Sequence, residues 1–185
     1  MVFSSQLFLF WFLPAALAAY YLVPRRAKHL ILTLFSYVFY GWVNPAFSVL
    51  LLFSTAVDWV AGLVMAGTTP WSRTAIEVLP PGRPRNRRER LALLLSVSSN
   101  LSLLGFFKYF NFAVDSWNGL AAALGVDAAA LDIALRVTLP LGISFYTFQS
   151  MSYAIDVYRG EARALRNFVD FACFVSMFPQ LVAGP

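Results

Sequence analysis

Long apolar runs separated by short polar turns set the pattern of this chain. The first run covers residues 6–23 and holds Pro14, which membrane helices tolerate as a kink. A second, 29–42, is short for a bilayer crossing and ends on aromatic residues: Tyr37, Tyr40 and Trp42. Asn44-Pro45 marks a turn, and the third run, 46–66, is interrupted by Asp58. The fourth, 91–110, has Asn100 at its middle and Lys108 near its end. Residues 111–134 are mixed, with Asp115, Asp127 and Asp132, and suit a helix lying in the membrane interface. The fifth run is 137–156 and the sixth is 167–183. The pattern predicts an all-α, polytopic transmembrane bundle of about six spans plus one interfacial helix.

Composition agrees. Of 185 residues, 59% are hydrophobic and 12% charged, with mean hydropathy +0.67. Soluble domains are nearer a quarter charged. The formal charge of +5 raises the possibility of nucleic-acid binding. The basic residues lie instead in short loops between apolar runs, and no aromatic is interleaved among Arg83, Arg85, Arg87, Arg88 and Arg90 for base stacking. No nucleic-acid partner is expected; the partner is the lipid bilayer, with the arginines near anionic headgroups. Residues 68–90 form the one hydrophilic stretch, a basic, proline-rich, mobile loop expected on the cytoplasmic side. With the N-terminus outside, inner loops collect Arg25, Arg26, Lys28, Arg73, Arg83, Arg85, Arg87, Arg88, Arg90, Arg159, Arg163 and Arg166, leaving Lys108 and Arg136 outside. The positive-inside rule favours that orientation.

Residues 139–160, LPLGISFYTFQSMSYAIDVYRG, are long enough to cross a bilayer yet rich in polar side chains. At helical spacing Gly142, Gln149 and Asp156 recur every seven residues, with Ser152 beside them. Two readings stand level: a polar path, or hydrogen bonds between helices. Asp58 is a functional candidate because a carboxylate within a span is costly; a packing group hydrogen-bonded to Trp, Tyr or Ser is the favoured reading. His29, the single histidine, has basic neighbours and no carboxylate in sequence to orient it, so it reads as an interfacial residue. Lys108 is expected to snorkel. Cys173 is the only cysteine. Neither a metal-ligand cluster, a phosphate-binding glycine loop nor a Ser/His/Asp set is present.

Five stretches carry a resemblance together: MVFSSQLFLFWFLP, SYVFYGW, GFFKYFNF, LPLGISFYTFQSMSYAIDVYRG and FPQLVAGP. In this order and spacing they resemble the membrane-bound O-acyltransferase family, in its bacterial branch that O-acetylates alginate. The resemblance covers essentially the whole chain. It implies a multi-pass enzyme of the bacterial inner membrane. An acetyl or other acyl group from a cytoplasmic thioester donor, such as acetyl-CoA, crosses the membrane to an exported polysaccharide, with help from periplasmic polysaccharide acetylation proteins. No bound cofactor is implied.

The family's histidine is expected beyond Pro185, so residues 1–185 read as the N-terminal part of one membrane-embedded acyltransferase domain, incomplete relative to the full fold. This chain alone is then expected to be inactive. Motif residues carried over are Gly142, Ser144, Tyr146, Tyr153, Asp156, Tyr158, Arg159, Pro179, Gly184 and Pro185, shaping core and channel together with Gln149 and Ser152. Asp58 and Asn100 are the intramembrane polar candidates. Gln180 stands where some members have histidine, so no acid–base role transfers there. The alternatives are a non-catalytic membrane scaffold and a transporter-like protein; the latter would show inverted repeats, and none is visible.

Overall fold

A computed structural model describes residues 5–42, 44–72, 75–80, 82–124, 138–140 and 142–183; all regular structure among them is helical. The first run opens with a π-helical turn, Phe8–Phe12, and continues as α1, Leu13–Leu22. Leu13 N–H donates to Phe8 O, one residue further back than in an α-helix. Pro14 follows at once in the first turn of α1, where its missing N–H costs least. After a short 3-10 turn, Arg25–Ala27, comes α2, Lys28–Gly41. Asn44 caps α3, Pro45–Met65, by accepting from Ala46 N–H, with Pro45 opening the helix.

The fourth run differs from expectation. α4 runs unbroken over Arg87–Ala123, 37 residues or about 55 Å. The interfacial helix expected at 111–134 is, up to Ala123, a continuation of α4; Asp127, Asp132 and Arg136 lie outside the described residues. Polar residues such as Asn111 and Asp115 do not end a helix whose neighbours are good helix formers. Lys108 is therefore mid-helix, its ammonium 5.6 Å from the Tyr109 ring.

α5 spans Ile143–Arg159, starting later than the apolar run because Gly142 takes a left-handed conformation (φ 71°) at its N-cap. The sixth run is two helices: α6, Phe168–Ser176, and α7, Phe178–Ala183. Met177 is extended between them (ψ 112°), two residues before Pro179, which has no N–H to continue a ladder.

The loop at 68–90 is also different from the mobile linker expected. Its last residues, from Arg87, form the first turn of α4. Asn86 and Glu89 make a reciprocal capping box there. Arg83 pairs with Glu89, Ile76 packs against the main core, and the Arg85 guanidinium lies 5.6 Å from the Tyr158 ring of α5. Gly160 (φ 83°) brings its backbone against Leu79 O, closer than any side chain would permit. Arg73 lies outside the described residues.

Two cores hold the bundle. The larger joins α2 to α7 around Leu51, Met65, Tyr146, Val157 and Phe171. The smaller is an aromatic cluster of Phe8, Phe12, Phe39 and Phe178, with ring centroids 5.6–6.1 Å apart around Phe8. Among the described residues two helices, α3 and α4, are long and apolar enough to cross a membrane. Only 39% and 17% of their apolar windows are buried, so much of their apolar surface faces outward. Phe53, Leu95 and Phe112 are more than half exposed, a surface suited to lipid rather than water.

Candidate functional site

The polar residues within the apolar runs converge. Asp58 on α3 and Asn100 on α4 are both fully buried. Asn100 Nδ2 donates to both Asp58 oxygens at 2.8 Å, and Ser96, one turn earlier on α4, donates its hydroxyl to Oδ1 at 2.5 Å. Ser54, one turn before Asp58, donates to Asn100 Oδ1 at 2.9 Å. Ser150 of α5 reaches the same oxygen at 3.5 Å and its own helix at Thr147 O. The i, i+4 spacing puts Ser54 above Asp58 and Ser96 above Asn100, so two antiparallel helices present two polar pairs in register.

This geometry defines what the cluster can do. Each carboxylate oxygen faces a donor and each amide group a partner, as burial requires. Asp58 has no open position for a substrate, and no histidine stands beside it. The arrangement clasps α3, α4 and α5. Among the described residues, no group of three His, Cys, Asp or Glu could hold a metal ion.

A second polar junction sits at the break between α6 and α7. In a continuous helix Phe178 N–H would bond Phe174 O. Here Gln149 Nε2 donates to Phe174 O at 2.8 Å, and Phe178 N–H is accepted by Ser36 Oγ of α2 at 3.1 Å. Side chains from two other helices thus satisfy backbone groups that the break frees, as a low-polarity surrounding demands.

The single face expected of Gly142, Gln149, Ser152 and Asp156 is corrected in part. Gly142 is the N-cap of α5, outside the helix, its backbone against Leu181 O. Gln149 and Asp156 are half-buried; Ser152 is exposed and donates to Gln149 O of its own helix. The buried face of α5 carries Ile143, Tyr146, Thr147, Ser150, Tyr153, Ala154 and Val157 instead. Polarity alone misled because Ser150 and Thr147, not the larger polar groups, point inward.

Tyr146 stands edge-on to Tyr40, with centroids 6.3 Å apart. Tyr153 lies tilted against Phe171, with ring centroids 4.5 Å apart, and accepts Leu165 N–H at 2.9 Å; Gly62 of α3 makes room for its hydroxyl end. Asp156 O accepts from the N–H groups of Gly160, Glu161 and Ala162, closing α5. Ser144 is half-buried in the first turn of α5, Tyr158 lies near Arg85, and Arg159 is exposed in the last turn. Pro179 is exposed and Gln180 half-buried in α7, while Gly184 and Pro185 lie outside the described residues.

His29 gains the carboxylate that its sequence neighbours lack. Asp170 of α6 accepts from or pairs with its Nδ1 at 2.7 Å, and Thr33 donates to His29 O. Both members are open to the surroundings, with the imidazole side chain 60% exposed. Asp170 is invisible as a partner in sequence because it lies 141 positions away. The sequence does not single out Ser36, Ser54, Ser96 or Ser150; the signal it holds is the i, i+4 relation of Ser54 to Asp58 and of Ser96 to Asn100.

A helical bundle with apolar outward faces, clasped internally by a buried carboxylate–amide cluster, is the class that the fold and the polar site define. Its sequence relationships narrow this: the chain is similar over its whole length to proteins named alginate O-acetylase. It is 44% identical over 185 residues to the probable alginate O-acetylase AlgI of Pseudomonas putida, covering 100% of this chain and 35% of that protein. The corresponding protein of Pseudomonas syringae pv. tomato is 43% identical, with 100% and 32% covered. A peptidoglycan O-acetyltransferase of Helicobacter pylori is 30% identical over 214 residues, with 100% of this chain and 36% of that protein covered. The chain thus spans about a third of the length of the curated relatives it matches. No family model matches the chain, and no solved structure does.

Proposed function

We propose that residues 1–185 form the N-terminal, membrane-embedded part of an O-acyltransferase of the bacterial inner membrane. The enzyme transfers an acetyl or related acyl group from a cytoplasmic thioester donor, such as acetyl-CoA, to an exported polysaccharide such as alginate. Periplasmic acetylation proteins are its partners. The observation that carries this reading is similarity along the whole chain to proteins named alginate O-acetylase.

Within that enzyme the chain supplies structure rather than the reacting groups. About six spans, with the N-terminus outside and loop 68–90 in the cytoplasm, give one wall of the acyl-transfer channel. Gly142, Ser144, Tyr146, Tyr153, Asp156, Tyr158 and Arg159 shape that wall, and Asp58 with Asn100 holds it in register. The catalytic histidine belongs to the remainder of the domain. His29 pairs with Asp170 through Nδ1 at an exposed edge and is assigned no part in the transfer.

A chimera tests this. The matching third of the Pseudomonas putida alginate O-acetylase is replaced by this chain, and acetylation of secreted alginate is measured in cells lacking the native protein. The expected outcome is retained acetylation by the chimera and none by the 185-residue chain alone. A chimera that inserts at normal abundance but leaves alginate unacetylated overturns the reading, as does acetylation by the chain alone.

A further inference from the structure

Outside the polar cluster, an open groove of about 540 Å³ lies between α3 and α4. Its origin is a contrast in side-chain size. Ala56, Ala61 and Ala92 form the floor, and Phe53, Val64 and Leu95 stand as rims. Nearly all of its lining is apolar, and the exception is Arg88 at one end. From Phe53 to Val64 the groove follows α3 for about 16 Å, at 1.5 Å per residue. That is half of a hydrocarbon core about 30 Å thick, so the groove is one leaflet deep.

The charged end is placed against local preference. Arg87, Arg88 and Arg90 all stand in the first turn of α4, where the helix dipole favours anions. Glu89, the acidic residue of that turn, is taken by Arg83. Among the described residues no ion pair is formed by Arg88, which is exposed at the groove mouth. An apolar slot one leaflet deep, with a cation at the headgroup end, is complementary to one kind of molecule.

We infer that the α3–α4 groove binds an anionic glycerophospholipid, with one acyl chain over Ala56, Ala61 and Ala92 and the phosphate on Arg88. The inference depends on neither acyl transfer nor the orientation of the chain; it needs only a bilayer. Arg88 supplies charge-assisted donors to phosphate, and the alanines let the acyl chain lie close to both helices.

The experiment uses the 185-residue chain in bilayer nanodiscs carrying phosphatidylglycerol with a photoreactive diazirine on an acyl chain. A matched phosphatidylcholine probe is the zwitterionic arm. Adducts are mapped by peptide mass spectrometry, with the lipid-facing residues Tyr21 and Leu22 of α1 as reference. The phosphatidylglycerol probe is expected to label residues 53–64 about fivefold more than phosphatidylcholine, relative to α1, as for a single basic contact to an anionic lipid. Arg88→Glu, which suits the helix dipole and so spares the fold, is expected to abolish that preference. Ala56→Trp, which fills the floor, is expected to remove groove labelling by both probes. Equal labelling by the two lipids, a preference that survives Arg88→Glu, or a groove unlabelled because polypeptide occupies it, each overturns the inference.

Discussion

Asp58 and Asn100 each carry a cost of burial that the other removes. Asp58 accepts from Asn100 and Ser96, and Asn100 accepts from Ser54, so the carboxyl and the amide are satisfied without water. Interhelical hydrogen bonds in membranes average about 0.6 kcal/mol, and three of them end on Asp58, so Asp58→Ala is expected to cost about 2 kcal/mol. Asn100→Ala is expected to cost a similar amount. The double variant should lose less than their sum, because each single change leaves the other partner orphaned. Reversible unfolding of the four proteins in mixed micelles measures this; strict additivity would show that the two side chains do not act together. Both residues are legible in the sequence, since polar groups stand out in apolar runs. Their pairing is not, because 42 positions separate them and register between α3 and α4 is set by packing along the whole contact. The serines that complete the cluster are harder still, as serine is common in such runs and carries no charge.

At the scale of elements, hydropathy located the runs and misplaced several ends. Asn44-Pro45 names its own helix start, and α3 follows it within a residue. Hydropathy has no term for Gly142 in a left-handed cap, so α5 begins six residues after the apolar run. Nor does it register that Asp115 can ride on an exposed helical face, so α4 continues to Ala123. Pro179 was visible in FPQLVAGP, but what makes a break there tolerable is distant: Gln149 takes Phe174 O and Ser36 takes Phe178 N–H. Gln149→Leu and Ser36→Ala each strand one backbone group. Each is expected to lower stability by about 1–3 kcal/mol, with thermal unfolding in detergent as the measurement. Ser152→Ala, which removes only a bond within α5, serves as the control and should be near neutral. Equal effects of all three would remove the role given to the break.

For the whole molecule, the charge pattern makes the sharpest statement. Loop 68–90 is held against the end of α5 by Arg85 over Tyr158 and by Gly160 against Leu79, so the basic segments around residues 83–90 and 159–166 share one end of the bundle. That end is proposed to be cytoplasmic. Alkaline phosphatase joined within loop 68–90 should be inactive, and a fluorescent protein joined there should shine; the reverse pattern would invert the proposed orientation. The loop's charge was readable, but its docking was not. Proline and glycine suggested mobility, yet Gly160 serves here to bring two backbones together.

The aromatic cluster has a consequence in time. Phe8, Phe12 and Phe39 emerge early from the ribosome, while Phe178 arrives late. At about 5–20 residues per second, roughly seven to thirty seconds pass between Phe39 and Phe178. During that interval the early phenylalanines lack the ring that closes their cluster, and lipid must stand in for it. The first helices are therefore held by the bilayer before they are held by the protein, and their docking is completed only as α7 is made.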